Sequence, residues 1–216
     1  MWDNDWAEFA YFSGPLFLTQ AAGAAATRIP QLTGAIGRAE ALAVVAGTWL
    51  SIAILGSLPY AFSGLSLVDS LFESMSGFTT TGATILTNFE EHGRAFYLWR
   101  AMTQWFGGLG VIALFVVILP RLGIAGRQLF FAEASRAPAE AVSPSAQMSA
   151  RRLWILYVVL TLILVACLRW SGMTTYESIV HSLTTLSAGG FSPHPTSIAG
   201  YANPQAEWIL SFFMLL

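Results

Sequence analysis

The chain has 216 residues, 55% of them apolar and only 10% charged, with a mean hydropathy of +0.61. Soluble domains carry about 25% charged residues, so this composition excludes an ordinary water-facing surface and selects the bilayer as solvent. All ten basic residues are Arg, no basic cluster suits a nucleic acid, the net charge is −2, and the lone Cys167 excludes an internal disulfide or a thiolate metal site.

Long apolar stretches dominate. Residues 9–27 form a first candidate helix, weakened by Gly14 and Pro15, and residues 41–62 a second without charge. Residues 95–120 form a third, interrupted by Arg100. Residues 153–168 form a fourth, anchored by Arg151, Arg152 and Trp170. A fifth begins at residue 208 and the chain stops inside it. A spanning helix needs about 20 residues to cross a ~30 Å hydrocarbon core. The expectation is therefore four complete spans and one partial span. The start of the chain, Trp2, Asp3, Asn4 and Asp5 after Met1, is the opposite of a basic leader.

Two further apolar segments, 67–78 and 175–186, are too short to cross. Twelve helical residues reach about 18 Å, which suits a re-entrant half-helix. Each is followed by a Thr- or Gly-rich stretch, Thr79 to Gly82 and Ser187 to Gly190. Non-helical backbone at membrane depth is tolerated only where it is buried in protein or lines a wet cavity. Arg28, Arg38, Arg121, Arg127, Arg136, Arg151 and Arg152 share one side of this topology. The positive-inside rule makes that side cytoplasmic, so the half-helices enter from outside.

A shift of 108 residues lays the chain on itself. Ser63-Gly64 falls on Ser171-Gly172, Asp69-Ser70-Leu71 on Glu177-Ser178-Ile179, Ser74-Met75 on Ser182-Leu183, and Gly82 on Gly190; Trp99 meets Trp208 with one insertion. The repeated unit is span, half-helix, Gly-bearing loop, span. It divides the chain into an extra helix and cytoplasmic loop (1–40), a first unit (41–120), a cytoplasmic connector (121–148) and a truncated second unit (149–216). Both units run in the same direction, so they should be related by an axis along the membrane normal. Such a unit is the building block of a cation pore. A half-helix entering from outside points its negative C-terminal end at the bilayer centre, and carbonyls of the returning loop can replace the water shell of an alkali ion. Glycine allows the backbone conformation this requires.

The run SGFTTTGATIL (Ser76 to Leu86) resembles the first filter of the Trk/Ktr family of potassium transporters. YLWRAMTQWFGGLGVI (Tyr97 to Ile112) is similar to the helix that follows it in Trk-type members, and LSAGGFSPH (Leu186 to His194) resembles the second filter. The resemblance implies an all-α polytopic membrane protein with four pore units, of which this chain holds two as an N-terminal fragment. It implies that Thr80, Thr81 and Gly82 line the filter from the first unit, and Ala188, Gly189 and Gly190 from the second. K⁺ is the implied transported ion and the metal these residues would bind. The implied setting is the bacterial inner (cytoplasmic) membrane. The implied partners, besides lipid, are a second copy of the complete pore and a cytoplasmic nucleotide-binding regulatory subunit.

Other residues have simpler readings. Arg100, near the end of a span, is expected to snorkel to the interface. Glu73 is expected to brace the filter backbone or pair with Arg100. Asp69 and Glu177 read as first-turn acids favoured by the helix dipole. His181, at the position matching Glu73, reads as a packed, hydrogen-bonded histidine. Gly107, Gly108 and Gly110 read as sites of close helix contact. Two other function classes are weighed against transport. An intramembrane hydrolase would need Ser178 or Ser182 to meet His181, and no Gly-x-Ser-x-Gly elbow is present. A non-conducting assembly partner follows if two units cannot close a pore. The expectation is a transporter and not an enzyme.

Overall fold

The computed structural model describes residues 38–113 and 144–215, with scattered helical positions between 13 and 24. Much of the predicted first span, the end of the third span beyond Ala113 and most of the connector fall outside the described residues. Among the described residues all regular structure is helical: α1 (Arg38–Phe62), α2 (Leu67–Phe78), α3 (Arg94–Ala113), α4 (Pro144–Trp170), α5 (Thr175–Leu186), a short 3₁₀ helix (Ser197–Tyr201) and α6 (Pro204–Met214). By length and composition α1 and α4 can cross a bilayer, over Leu42–Phe62 and Arg151–Trp170. The fourth expected span is longer than its apolar run, because the helix starts at Pro144, a residue well suited to a first helical turn. The two half-helices occupy the segments expected from the sequence, 67–78 and 175–186.

Local chemistry explains where the short helices start and stop. Ser66 caps α2: its hydroxyl accepts from Asp69 N and donates to Asp69 Oδ2. Thr174 caps α5 through a reciprocal capping box with Glu177. Glu177 therefore completes a capping box, and Asp69 orients the capping hydroxyl of Ser66, besides their favourable place at the dipole. Each of the four turns that end α1, α2, α4 and α5 closes the same way. A residue with positive φ follows the cap, and its N–H and the next N–H reach back into the last helical turn. In the spans that residue is Gly64 or Gly172; in the half-helices it is Thr80 or Ala188.

Packing places α2 against α1 and α3, and α5 against α4 and α3. Helix α3 thus touches both half-helices. The half-helices bury a polar face: Ser70, Glu73, Ser74 and Ser76 in α2, and Ser178, His181, Ser182 and Thr184 in α5. Apolar residues such as Leu67, Val68, Trp170 and Trp208 face outward. Such an inverted distribution suits a chain surrounded by hydrocarbon or by further apolar helices rather than water. The three glycines of α3 mark close approaches. A Cβ at Gly107 would run into the Phe78 carbonyl, one at Gly108 would lie 2.6 Å from Tyr157 Oη, and one at Gly110 would lie 3.1 Å from Trp49.

Candidate functional site: two loops behind the half-helices

The two loops share one backbone form. Thr80 has φ 54° and Ala188 φ 55°; Gly82 has φ 74° and Gly190 φ 76°. In the first loop Thr80 N donates to Gly77 O, and Thr81 N and Gly82 N donate to Ser76 O. In the second, Ala188 N donates to Thr185 O, and Gly189 N and Gly190 N donate to Thr184 O. The N–H groups of each loop thus point back to the half-helix. Among the described residues, no hydrogen bond is made to the carbonyl oxygens of Thr79–Gly82 or Ser187–Gly190. Two stretches of backbone therefore keep unspent acceptors, an arrangement that can serve an ion stripped of water.

The loops meet each other. A Cβ on Gly82 would collide with the Gly189 carbonyl oxygen, so only glycine permits this approach at its positive φ. Gly189 is buried against the Gln104 amide, whereas Gly190 has nothing within 4 Å of its Cβ position. Thr81, Ala188 and Gly190 are exposed, and Thr80 and Gly82 half-buried.

Behind the first loop lies an ion pair. Glu73 is 0% and Arg100 1% exposed. Arg100 Nε donates to Glu73 Oε2 at 3.0 Å, and Arg100 Nη2 donates to Thr84 Oγ1 at 2.9 Å. Glu73 Oε1 accepts from Thr84 Oγ1 at 2.6 Å and from Ile85 N at 2.8 Å. Both expectations for Glu73 are met at once: it pairs with Arg100 and holds the returning backbone. The snorkelling expected of Arg100 is overturned. A buried carboxylate with matched hydrogen bonds offsets the desolvation of the guanidinium, so the charge turns inward. Arg100 also stacks its guanidinium 4.0 Å from the Phe191 ring centroid and reaches Ser192 O at 3.5 Å, on the second loop.

Beyond Arg100, the second loop has neutral supports. Phe191 N donates to Gln104 Oε1 at 3.0 Å. His181 Nε2 and Tyr201 Oη lie 3.3 Å apart, and burial pushes the Tyr201 hydroxyl up to about 12, so it stays protonated near neutrality. His181 is packed and hydrogen-bonded, as its sequence context suggested. The hydroxyls of a would-be hydrolase are engaged elsewhere: Ser178 Oγ donates to Thr174 O and Ser182 Oγ to Ser178 O. Sequence reasoning passed over Gln104, Thr84 and Phe191. One signal was available for Gln104: it stands four residues after Arg100, on the same helical face.

Comparison with known proteins agrees with this geometry. The family model for TrkH, described as a cation transport protein, matches residues 23–216. The Trk system potassium uptake protein TrkH of Escherichia coli (strain K12) is 38% identical over 187 residues, 85% of this chain and 39% of the relative. The Trk system potassium uptake protein TrkG of the same strain is 36% identical over 172 residues, 78% of this chain and 36% of that protein. The crystal structure of the potassium transporter TrkH from Vibrio parahaemolyticus matches with a TM-score of 0.82 at 31% identity, over 97% of this chain and 42% of that one. The chain spans about two fifths of the length of these relatives. The match is to transporters rather than enzymes, and it removes the hydrolase reading. The chain is an all-helical membrane protein that belongs to the TrkH family of cation transport proteins.

Proposed function

We propose that this chain supplies two of the four filter-bearing units of a potassium-conducting pore in a bacterial cytoplasmic membrane. The observation that carries the reading is the pair of loops with matching φ values at Thr80 and Ala188, and at Gly82 and Gly190, each with its carbonyls unspent. The printed names of the relatives, potassium uptake proteins, favour K⁺ as the ion. In this reading residues 41–120 and 149–216 are the first and second units, joined by a cytoplasmic connector at 121–148 and preceded by an extra helix within 1–40.

Thr80, Thr81 and Gly82 line the path from one unit, and Ala188, Gly189 and Gly190 from the other. K⁺ sheds water as loop carbonyls replace its hydration shell. The half-helix dipoles favour a cation at the inner end of the filter. The complete transporter works as a dimer of pores, gated through a nucleotide-binding subunit on the cytoplasmic face.

The test uses the complete four-unit transporter in potassium-transport-deficient cells. Rubidium and sodium uptake are measured alongside membrane abundance. Gly82→Ser and Gly190→Ser are expected to lower the Rb⁺/Na⁺ uptake ratio at preserved abundance. Gly56→Ala is the control: its Cβ would meet the Phe78 ring and Ser74 Oγ, so abundance should fall while the ratio in the surviving protein stays normal. An unchanged ratio in both loop variants at normal abundance would falsify the filter assignment.

A further inference from the structure

Gln104 is fully buried in the middle of α3, in a helix assigned to the first unit, yet its hydrogen bond goes to the second loop. Its amide orientation is fixed, because Phe191 N is a donor and must face Oε1; a flipped amide would set two donors against each other. Nε2 is thereby turned away, and among the described residues it has no hydrogen-bond partner. Buried donors without partners are rare. A residue retained there for packing alone would be apolar, as Phe213 is at the place that corresponds through the Trp99 and Trp208 match.

The loops differ in a way that this amide explains. The 108-residue shift places Thr81 on Gly189. The first loop carries a side chain at that position and the second does not. A Cβ at Gly189 would collide with the Gln104 amide, so the amide occupies the space a side chain would take. The Gly189 carbonyl in turn abuts Gly82, and Gln104 Nε2 lies 3.7 Å from the Cβ position of Gly82. One side chain therefore holds the second loop and lies beside the first at their junction.

We propose that Gln104 is a positioning residue for ion selectivity: from the last helix of the first unit it sets the peptide geometry of the second loop at Gly189 and Phe191, and through Gly189 that of Gly82. The proposal rests on the filter reading of these loops. Its test is the Rb⁺/Na⁺ uptake ratio of the complete transporter with Gln104→Leu, which keeps the bulk and removes the acceptor. The expected result is a ratio about tenfold lower at preserved membrane abundance, the factor that one buried hydrogen bond represents. Gln104→Asn, which keeps the amide but withdraws it by one methylene, should lower the ratio in the same direction by a smaller factor. It decides the matter if the Leu variant does not accumulate. A normal ratio in Gln104→Asn, or in Gln104→Leu where it reaches the membrane, overturns the proposal, even if total uptake falls with abundance. Gly190→Ser run in parallel separates the two failures. If it alters the ratio while the Gln104 variants do not, the filter assignment stands and the positioning role is lost. If it and Gly82→Ser are both silent as well, the filter reading and this proposal fall together.

Discussion

The first loop is held by a buried ion pair, whereas the second meets only the Arg100 guanidinium of that pair, at Phe191 and Ser192, and otherwise rests on neutral groups. Glu73 receives Ile85 N and Thr84 Oγ1 and is balanced by Arg100. At the matching positions of the second loop stand His181, Pro193 and Ser192. Pro193 has no N–H, so the donor that Glu73 satisfies at Ile85 does not exist there. The acid and its counter-ion lose their purpose, and a histidine bonded to Tyr201 fills the place. Backbone angles nevertheless agree within 2° at both positive-φ positions. The lesson is that the local C-cap geometry sets the loop form, while the side chains behind it supply whatever partners the particular backbone demands.

The comparison can be broken most severely on the charged side. Removing one member of a buried ion pair leaves the other uncompensated and costs about 3–5 kcal/mol. Glu73→Ala in the complete transporter should therefore cause a large drop in thermal stability in detergent and in membrane abundance. His181→Phe, at the corresponding place, loses one long hydrogen bond to Tyr201, a cost of about 1 kcal/mol. A stability loss as large as that of Glu73→Ala would show that His181 carries more of the second loop than its one hydrogen bond to Tyr201. The smallest expected effect sharpens the shared feature. Ala188 sits at φ 55°, where a non-glycine residue is strained by about 1–2 kcal/mol. Ala188→Gly relieves that strain and loses about 0.5–1 kcal/mol to backbone entropy. A slight rise in melting temperature is expected, and a fall would show that the methyl group contributes packing of its own.

Much of this was legible in the sequence because it is local. The half-helices announced themselves as apolar runs too short to span, each opened by a hydroxyl residue and an acid and closed by glycine. The recurrence at a fixed offset named Gly82 and Gly190 together. Arg100 was misread as snorkelling even though Glu73 had been named as a partner, because the sequence does not show that the two, 27 residues apart on different helices, are buried together. Gln104 was overlooked for the same reason more strongly, since Phe191 lies 87 residues away. Periodicity reports which face a residue occupies; it cannot report what a different element brings to that face. The start of α4 at Pro144 was missed because polar residues continue a helix beyond its apolar stretch without any hydropathy signal.

The sequence distances behind the two braces also order them in time. A ribosome adds about 5–20 residues per second. Glu73 is already made when Arg100 is added, so the ion pair can close as soon as both helices have left the ribosome. Gln104 must wait on the order of 10 s for Phe191 at that pace. Throughout that interval the nascent first unit carries a glutamine amide with no acceptor or donor from its own unit to meet it. The buried ion pair is thus balanced early, while the contact of Gln104 waits for synthesis of the second loop.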